Sequence, residues 1–456
     1  MVQRFEGPEQ AAHEASAVTR RMVVSGGVAA LAALGAACGA ARDSGAGGAG
    51  ATGPTGPQKV VVWVPGAGNP SYPPAYEDFL RRNPGWTGEF VENVTYQKFQ
   101  ASVASGDVPD AYFAQFDTIQ VAAHKGLYAP LDKYIARDKL NLENYFFGSR
   151  AGAVFRGKVY GLPHHSNVRS VYVNQRLLRN AGLSPDAAPA GWDDFRTAIQ
   201  RLGKPDANGG IERLGYNPTW TIGGTAVLFY FQANGVPLVN SDGTQLAFAT
   251  PAGVEALKWT QDTMNALGGA GAYADYQKKF KNVGEAIAKD ALGVSLLGVW
   301  ILGQQIFPVD AAVPIVQWPM PGGPSAKGKQ LGFFNATSCV VPAAAARPEG
   351  GWWFARYQAS AEGQRYIQEP EGSFDQACLP EVANNPAVLA RQPWRRRANE
   401  LMAQAKHYAY FPAAGTADIQ AAMNVVTDNL LANQLGPDAA MIEMRQQVEN
   451  VMAQYR

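Results

Sequence analysis

The 456-residue sequence predicts an α/β protein with more than one compact unit. Short β-branched segments alternate with amphipathic stretches of helical period, and this alternation is typical of sheets flanked by helices. Hydrophobic residues make up 46% of the chain and aromatic residues 11%, which is enough apolar surface for sizeable cores. At roughly 100–200 residues per domain, the length corresponds to two to four units.

The alternation is clearest between residues 58 and 202. The run Val60–Val64 is β-branched and ends at Pro65-Gly66, which predicts a buried strand. Pro73-Pro74 predicts the first turn of a helix that runs to Asn83. The elements expected next are a strand that opens at Val91, a helix over Tyr96–Ser105, a strand at Ala111–Phe113, a strand at Val171–Val173 and a helix over Trp192–Leu202. This order predicts sheets that are largely parallel.

The second half of the chain predicts an apolar region followed by helices. Val294–Trp300 is apolar and contains glycine, and prolines mark Val313–Val316 as an extended segment. Pro348–Ser360 and most of Thr416–Gln454 have apolar residues at helical spacing, so both are expected to be helical. The short basic run Arg395–Arg397 is expected to form a solvated or subunit-facing corner.

The first 57 residues are typical of an export signal and a tether. Arg20-Arg21 precede the uncharged stretch Met22–Ala37, which ends in small residues before Cys38. The paired arginines resemble a twin-arginine signal, and the cysteine after small residues resembles the lipobox of bacterial lipoproteins. Residues 1–38 are therefore expected to be a signal peptide with a lipobox, with lipid on Cys38 at the outer face of the bacterial cytoplasmic membrane. The alternative is an ordinary signal with an incidental cysteine. Residues 39–57 are expected to form a flexible linker, since they are almost all Gly, Ala, Ser, Thr and Pro.

The charge balance excludes a nucleic-acid-binding protein of the usual basic kind. Lys and Arg number 39, Asp and Glu number 38, and the net charge is +1. With three cysteines, the chain cannot form a disulfide-dense scaffold or a four-thiolate metal site. Cys339 and Cys378 either pair or remain two independent buried thiols.

Enzyme and metal signatures are missing from the sequence. It contains no GxSxG elbow, HExxH helix or Walker loop, and the adjacent Asp193-Asp194 pair would face apart on a helix. The five histidines cluster at His164-His165 alone, which is no known ligand spacing. We therefore expect no cofactor, no metal and no enzymatic activity. The alternatives weighed are a secreted enzyme such as a glycoside hydrolase or an esterase, and a metal-binding lipoprotein.

Four groups of segments carry a family pattern across nearly the whole mature chain. They are Tyr96–Ala111 with Gly126–Ile135; Gly157–Pro163 with Val171–Leu178, Ala181–Leu183 and Gly191–Phe195; Val294–Trp300; and Cys339–Pro342 with Trp352–Tyr357. In this order they resemble the family 1 extracellular solute-binding proteins of ABC importers, a mostly sugar-binding group. His164-His165 after the proline, and Val173 in place of a common tyrosine, depart from that pattern.

The resemblance implies two α/β lobes of the periplasmic-binding-protein (Venus flytrap) kind, with a ligand cleft between them. Lobe one would comprise residues 58–165 plus 316–362, and lobe two residues 166–315 plus 363–456. The extended, proline-marked Leu162-Pro163 and Val313-Pro314 would serve as hinge strands. The resemblance further implies a monomer that captures a carbohydrate, expected to be an oligosaccharide, and delivers it to ABC permease subunits in the membrane. A non-sugar solute such as a glycerol-phosphate diester is the alternative ligand.

A sugar needs aromatic faces against its C–H patches and polar partners for its hydroxyls. The candidates follow strands or lie in loops expected at the cleft, and Trp300 also resembles the stacking tryptophan of the family. They are Trp63, Asn69, Ser71, Phe116, Asp117, His164, His165, Ser166, Trp220, Thr221, Trp300, Phe334 and Asn335. The sequence therefore predicts a carbohydrate site in which both residue types occur together.

Overall fold

A computed structural model describes residues 21–24, 58–66, 69–219, 226–240, 243–369 and 373–455. The expectations for Cys38, for the linker and for most of the export signal lie outside the described residues. Within the signal, the backbone of Arg21–Val24 forms a strand that pairs antiparallel with Trp86–Val91.

Sixteen strands lie in the described part of the chain, and two of them are long. The strands are β1 Arg21–Val24, β2 Gln58–Trp63, β3 Trp86–Val91, β4 Ala111–Ala114, β5 Val154–Phe155, β6 Lys158–Val159, β7 Gly161–Asn174, β8 Lys204–Pro205, β9 Ile211–Asn217, β10 Leu292–Gly298, β11 Ile315–Trp318, β12 Met320–Pro321, β13 Gln330–Leu331, β14 Phe333–Val340, β15 Gln376–Ala377 and β16 His407–Tyr408. β7 spans 14 residues and β14 spans 8.

The helices flank the strands and dominate the C-terminal part. They are α1 Tyr72–Arg82, α2 Tyr96–Ser105, α3 Ile119–His124, α4 Asp132–Arg137, α5 Phe147–Ala151, α6 Gln175–Asn180, α7 Trp192–Leu202, α8 Ala226–Ala233, α9 Pro251–Ala266, α10 Gly269–Gln277, α11 Val283–Ala288, α12 Pro348–Ala359, α13 Ala361–Gln364, α14 Pro380–Ala383, α15 Pro386–Arg391, α16 Arg395–Gln404, α17 Thr416–Leu431 and α18 Pro437–Ala453. A π-helical turn at Leu302–Ile306 follows β10, and 3-10 turns lie at Leu142–Asn144, Pro324–Ala326 and Arg365–Ile367.

Two long strands connect two hydrophobic cores. One core contains Leu162 of β7 and Cys339 of β14, together with β2, β4 and α12. A larger core contains Val171 of β7 and Phe333 of β14, together with α7, α8, α9, α17 and α18. Since β7 and β14 each enter both cores, the α/β fold has two lobes that share these strands. The residue ranges given above for the two lobes remain a prediction.

The sheet is mixed, whereas the sequence favoured largely parallel pairing. Pairing is parallel where β2 lies between β3 and β4, and where β10 meets β9. Around β7 all pairs are antiparallel, with β10, β11, β14 and β15 as partners. The long strand therefore runs antiparallel to each of its described partners.

Helices with strong local end signals were predicted to the residue. The side chain of Thr95 accepts a hydrogen bond from the Lys98 amide at the start of α2, and Gly106 ends that helix at φ 84°. The strand expected to open at Val91 instead ends there. Its interior contains Gly88, a poor strand residue, because the Tyr76 ring packs where a Cβ would lie.

Candidate functional site

Polar side chains lie in a row along one face of the paired strands β7 and β14. In the antiparallel register His165 lies opposite Thr337, Asn167 opposite Asn335, and Arg169 opposite Phe333. Residues directly opposite each other share a face of the sheet. We call His165, Asn167, Arg169, Asn335 and Thr337 the polar stripe.

The polar stripe is buried and yet incompletely hydrogen-bonded. Its members are between 2% and 9% exposed. Among the described residues, Oδ1 of Asn167, Oδ1 of Asn335 and Nδ1 of His165 have no hydrogen-bond partner. A buried polar group without a partner costs about 1–3 kcal/mol, so such groups are normally paired. Three of them in one row form a surface suited to the hydroxyl groups of a ligand.

Trp300 lies at the Arg169 end of the polar stripe. The guanidinium carbon of Arg169 is 4.9 Å from the centroid of the Trp300 ring. Gly298 pairs with Arg169 in the sheet, and a Cβ at this glycine would overlap the indole ring. Glycine is therefore required where the chain turns from β10 towards the tryptophan. The ring is half-buried, so part of its surface faces solvent or ligand.

Further aromatic side chains extend the apolar surface beside Trp300. Phe374 stacks on Trp394 with centroids 5.6 Å apart and lies 6.0 Å from Phe307. All four rings are partly buried and pack on the same hydrophobic cluster, which contains Leu297 and Ile306. An aromatic surface next to a polar row provides the two types of contact that a sugar needs.

Asp375 brings a carboxylate to the polar stripe. Its Oδ2 lies 3.8 Å from Nε2 of His165. The segment is fixed by Arg395, whose guanidinium donates to the carbonyls of Asp375 at 2.5 Å and Ser373 at 2.6 Å. Arg395 is fully buried, and burial lowers its pKa to about 10, so it remains charged at neutral pH. The expectation of a solvated corner at Arg395 is therefore wrong, since backbone carbonyls replace water around this side chain.

His164 has a different environment from its neighbour His165. It is fully buried, its ring stacks on Tyr72 at 5.1 Å, and it packs edge-on against Phe113 at 4.4 Å. Burial, and then the adjacent His165, lower the pKa of His164 well below its usual range. The buried Gln364 donates to the His164 carbonyl at 2.5 Å. His164 is therefore a neutral packing residue at the edge of the site.

The predicted loop residues Asn69 and Ser71 bind each other. Oδ1 of Asn69 accepts from the amide of Ser71 at 3.0 Å and from its hydroxyl at 2.7 Å. This contact precedes Tyr72, the pKa of which is raised by burial and then by the Asp375 carboxylate. The loop thus lies beside the Asp375 end of the site, while its own polar groups are paired.

Ser166 and Phe334 lie on the face of the strands opposite the polar stripe. Phe334 packs against α5, where a Cβ at Gly148 would overlap its ring. Ser166 lies beside the buried thiol of Cys378, the pKa of which burial raises to about 12. Cys378 and Cys339 are both free thiols, so the alternative of a disulfide between them does not hold.

The remaining predicted residues lie away from the polar stripe or outside the described residues. Trp63 is 5% exposed and packs in a lobe-one cluster with Phe99 and Tyr112. Phe116 contacts Tyr410 at 4.8 Å between ring centroids. Asp117 lies near Tyr96, the pKa of which is raised by burial, then by Tyr455 and then by Asp117. Trp220 and Thr221 lie outside the described residues.

From the sequence, Asn167 is expected beside His165 at the hinge and Arg169 near the cleft, and residues two apart on a strand point to the same side, as these do. Three residues that the structure brings to the site have no such signal: Thr337, Phe374 and Asp375. They come from segments distant in sequence, which local patterns do not reveal.

Two further features of the described part of the chain concern metals and membranes. No group of three or more His, Cys, Asp or Glu residues in it has the arrangement of a metal site. None of its helices combines the length and the apolar character needed to span a bilayer.

The model of a family described as bacterial extracellular solute-binding protein matches residues 66–365, about two thirds of the chain. Among curated relatives, a binding protein of Brucella abortus is 29% identical over 188 residues, which are 40% of this chain and 43% of that protein. The arabinooligosaccharide-binding protein of Bacillus subtilis is 26% identical over 200 residues, 41% of each chain. The similarity thus spans about two fifths of the length of these relatives.

Solved structures show the same two-lobed fold. A solute-binding protein of an ABC transporter from Thermotoga lettingae, bound with alpha-D-tagatose, has a TM-score of 0.68 at 20% identity, covering 87% of this chain and 100% of that chain. The cyclic alpha-maltosyl-1,6-maltose binding protein of Arthrobacter globiformis has a TM-score of 0.69 at 20% identity, covering 88% and 100%. At this identity the similarity shows the fold alone.

Proposed function

This chain belongs to the bacterial extracellular solute-binding protein family, and on that basis we propose that it captures a carbohydrate for an ABC importer. The observation that carries the proposal is the contact between Trp300 and Arg169, which places an aromatic ring at one end of the buried polar stripe. Three other members of the stripe, Asn167, Asn335 and His165, have polar atoms without a described partner. Structural neighbours support it, since their descriptions name tagatose, mannobiose and maltotetraose as ligands.

The ligand would bind with its rings on the aromatic surface and its hydroxyls on the polar stripe. Trp300 would stack on one sugar ring, with Phe374 available for a second, which suits an oligosaccharide. Oδ1 of Asn167 and Oδ1 of Asn335 would each accept a hydrogen bond from a sugar hydroxyl, and the Asp375 carboxylate would accept another. Each charge-assisted or neutral bond contributes about 0.5–3 kcal/mol net.

Binding would be coupled to a hinge motion about β7 and β14. The lobes, taken as residues 58–165 plus 316–362 and residues 166–315 plus 363–456, would exchange between open and closed arrangements. A ligand in contact with both lobes favours the closed one by its difference in affinity. The closed monomer would then dock on permease subunits, and a separate ATPase would supply the energy.

A thermal-shift screen of the mature protein across sugars tests the proposal. A ligand at 100 times its Kd stabilises the folded state by about 2.7 kcal/mol. We expect one oligosaccharide series to raise Tm, and calorimetry to give one site per chain. Stabilisation by a glycerol-phosphate diester, and by no sugar, would replace carbohydrate by the alternative solute. Release of cleaved products from a labelled oligosaccharide would contradict a pure binding function.

We further propose that the protein is exported through its twin arginines and anchored by lipid on Cys38. The support is the order Arg20-Arg21, apolar stretch, small residues and cysteine in the sequence. In the native host, Cys38→Ser should release the folded protein from the membrane fraction. Replacing both arginines with lysine should keep it in the cytoplasm. A Cys38→Ser protein that stays membrane-bound would exclude the lipid anchor.

A further inference from the structure

A large cavity lies behind the strands that carry the polar stripe. It has a volume of about 1090 Å³, is partly open to solvent, and is lined in part by Phe147 and Ala151 of α5. α5 packs against Phe334, which points to the face of β14 opposite Asn335. None of the residues that we assign to the carbohydrate lines this cavity. It is therefore a separate space on the other side of the hinge strands.

The cavity walls come from distant parts of the chain. One wall consists of α5 and the β5–β6 hairpin, and the other of residues 235–240, residues 326–331 and residues 406–413. The first wall packs on a cluster that contains Phe334 and Leu401, and the second packs on the larger core, so the cavity lies between two separate hydrophobic clusters.

The cavity has a local excess of positive charge. The cations Arg150, Arg156, Lys329 and Lys406 line it, and Glu143 is the one acidic residue among its described lining residues. His407 also lines it but is neutral, because burial and the nearby Lys329 lower its pKa. Glu143 is paired with Arg150 at 2.5 Å and neutralises that cation. No ion pair joins the other cations to a described carboxylate. Since the whole chain has a net charge of +1, this concentration is a property of the cavity and not of the composition.

The same walls contain apolar surface beside the cations. Val154 is 38% exposed at the hairpin, and Val236 and Leu238 line the facing wall. The ammonium group of Lys406 lies 4.5 Å from the centroid of the Phe147 ring. Such side chains cover apolar surface with their stems and leave the charge accessible. The wall thus combines an apolar floor with cationic groups from both sides.

We propose that this cavity is a second binding site, which takes an anionic amphiphile: a molecule with a phosphate or carboxylate group on an apolar tail. The cations Arg156, Lys329 and Lys406 would bind the anionic group, and the valine and leucine side chains would contact the tail. A neutral sugar lacks both features, so the two sites differ in the ligands they select. This proposal does not depend on the proposed carbohydrate function.

The test uses octyl phosphate as the probe, below its micelle-forming concentration, with the mature chain in isothermal titration calorimetry. We expect one molecule per chain, with an affinity that falls about tenfold in Arg156→Gln and in Lys406→Gln. Octyl glucoside, with the same tail and no charge, and inorganic phosphate, with no tail, should each bind at least about tenfold more weakly. Salt should weaken binding, because exposed charges are screened.

Two control variants separate the cavity from the surface and from the cleft. Lys327→Gln removes an exposed lysine two residues from Lys329 that does not line the cavity, and should leave binding unchanged. Trp300→Ala should also leave octyl phosphate binding unchanged. The proposal is overturned if octyl glucoside or inorganic phosphate binds as tightly as octyl phosphate, or if octyl phosphate does not bind. It is also overturned if Trp300→Ala loses octyl phosphate binding, or if the protein binds phosphatidylglycerol vesicles but not monomeric octyl phosphate.

Discussion

The two faces of β7 differ in their surroundings although both are buried. On one face Asn167 is 6% exposed, has an Oδ1 atom without a described partner, and lies opposite Asn335 in the sheet. On the other face Ser166 and Val168 are fully buried, and Oγ of Ser166 also has no described partner although it lies beside the Cys378 thiol. Neither burial nor a missing hydrogen-bond partner therefore distinguishes packing from binding in this protein. The distinction lies in which buried polar groups stand together beside an aromatic surface, as the polar stripe does beside Trp300.

Two tryptophans show the same contrast. Trp300 and Trp353 are both half-buried, and each has an arginine guanidinium 4.9 Å from its ring centroid, from Arg169 and Arg356 respectively. Trp353 lies on α12, away from the polar stripe, whereas Trp300 adjoins it. The local environments match, so a difference in function must come from their position in the fold.

The largest effect is expected from Trp300→Ala compared with Trp353→Ala. Loss of the stacking ring should weaken carbohydrate binding about 100-fold, equal to about 2.7 kcal/mol, since buried aromatic anchors dominate such sites. Both variants should lose a similar free energy of unfolding, about 1–2 kcal/mol, because both rings are half-buried. Calorimetry with the ligand found by screening, together with urea unfolding, measures both quantities. If both variants bind ligand equally well, Trp300 has a packing role.

Arg395→Met should affect stability first and binding second. It leaves the carbonyls of Ser373 and Asp375 without their donor, which should lower the free energy of unfolding by about 2–3 kcal/mol. Loosening of the Phe374–Asp375 segment should weaken ligand binding about tenfold. The control is Arg397→Met, because Arg397 is half-exposed and paired with Glu400. Unchanged affinity in a destabilised Arg395→Met protein would show that the segment does not contact ligand.

Asn167→Ala and Ser166→Ala compare the two faces directly. Asn167→Ala should weaken binding about tenfold, or about 1.4 kcal/mol, and leave the free energy of unfolding within about 0.5 kcal/mol, because no described partner loses a bond to its Oδ1. Ser166→Ala should leave the affinity unchanged. Titration calorimetry and chemical denaturation of both variants give the comparison. If Ser166→Ala loses as much affinity as Asn167→Ala, the ligand contact has been assigned to the wrong face of β7.

The smallest effect concerns the pH dependence of stability. The folded state lowers the pKa of His164, so below about pH 6.5 the unfolded chain binds a proton that the folded chain excludes. The contribution of His164 to the free energy of unfolding is fully present above pH 6.5. It falls by about 1.4 kcal/mol between pH 7.5 and pH 5.5.

His164→Gln should remove that part of the pH dependence in denaturation measured at both pH values. Burial also lowers the pKa of His407, which should leave a remaining slope. An unchanged slope in His164→Gln would show that His164 is protonated in the folded state.

Elements with local signals were predictable, whereas the continuity of the hinge strand was not. Tyr96–Ser105 and Trp192–Leu202 match their helices because capping and apolar spacing act within a few residues. β7 was expected as two pieces, a hinge segment at Leu162-Pro163 and a strand at Val171–Val173, yet it is one strand from Gly161 to Asn174. The intervening His, Ser, Asn and Arg residues have little strand propensity, and β14 and β15 hold them extended by pairing on both sides.

The kind of site was predictable from the sequence, whereas the full set of its residues was not. Trp300, His165 and Asn335 were expected, since aromatic and polar residues near strand ends suggest a sugar site. Ser166 and Phe334 were named with them, although they point to the other face. The register between β7 and β14 decides which face of the sheet each side chain points to. A shift of one residue would exchange the two faces.

Residue order alone determined the α/β class, the helices with clear ends and the family resemblance, because these depend on neighbouring residues or on motifs in sequence. Tertiary structure decided which polar groups remain unpaired, that Asp375 meets His165, and that Arg395 is buried. The physical reason is that hydrogen-bond satisfaction depends on groups up to hundreds of residues apart, which become neighbours when the two lobes share their strands.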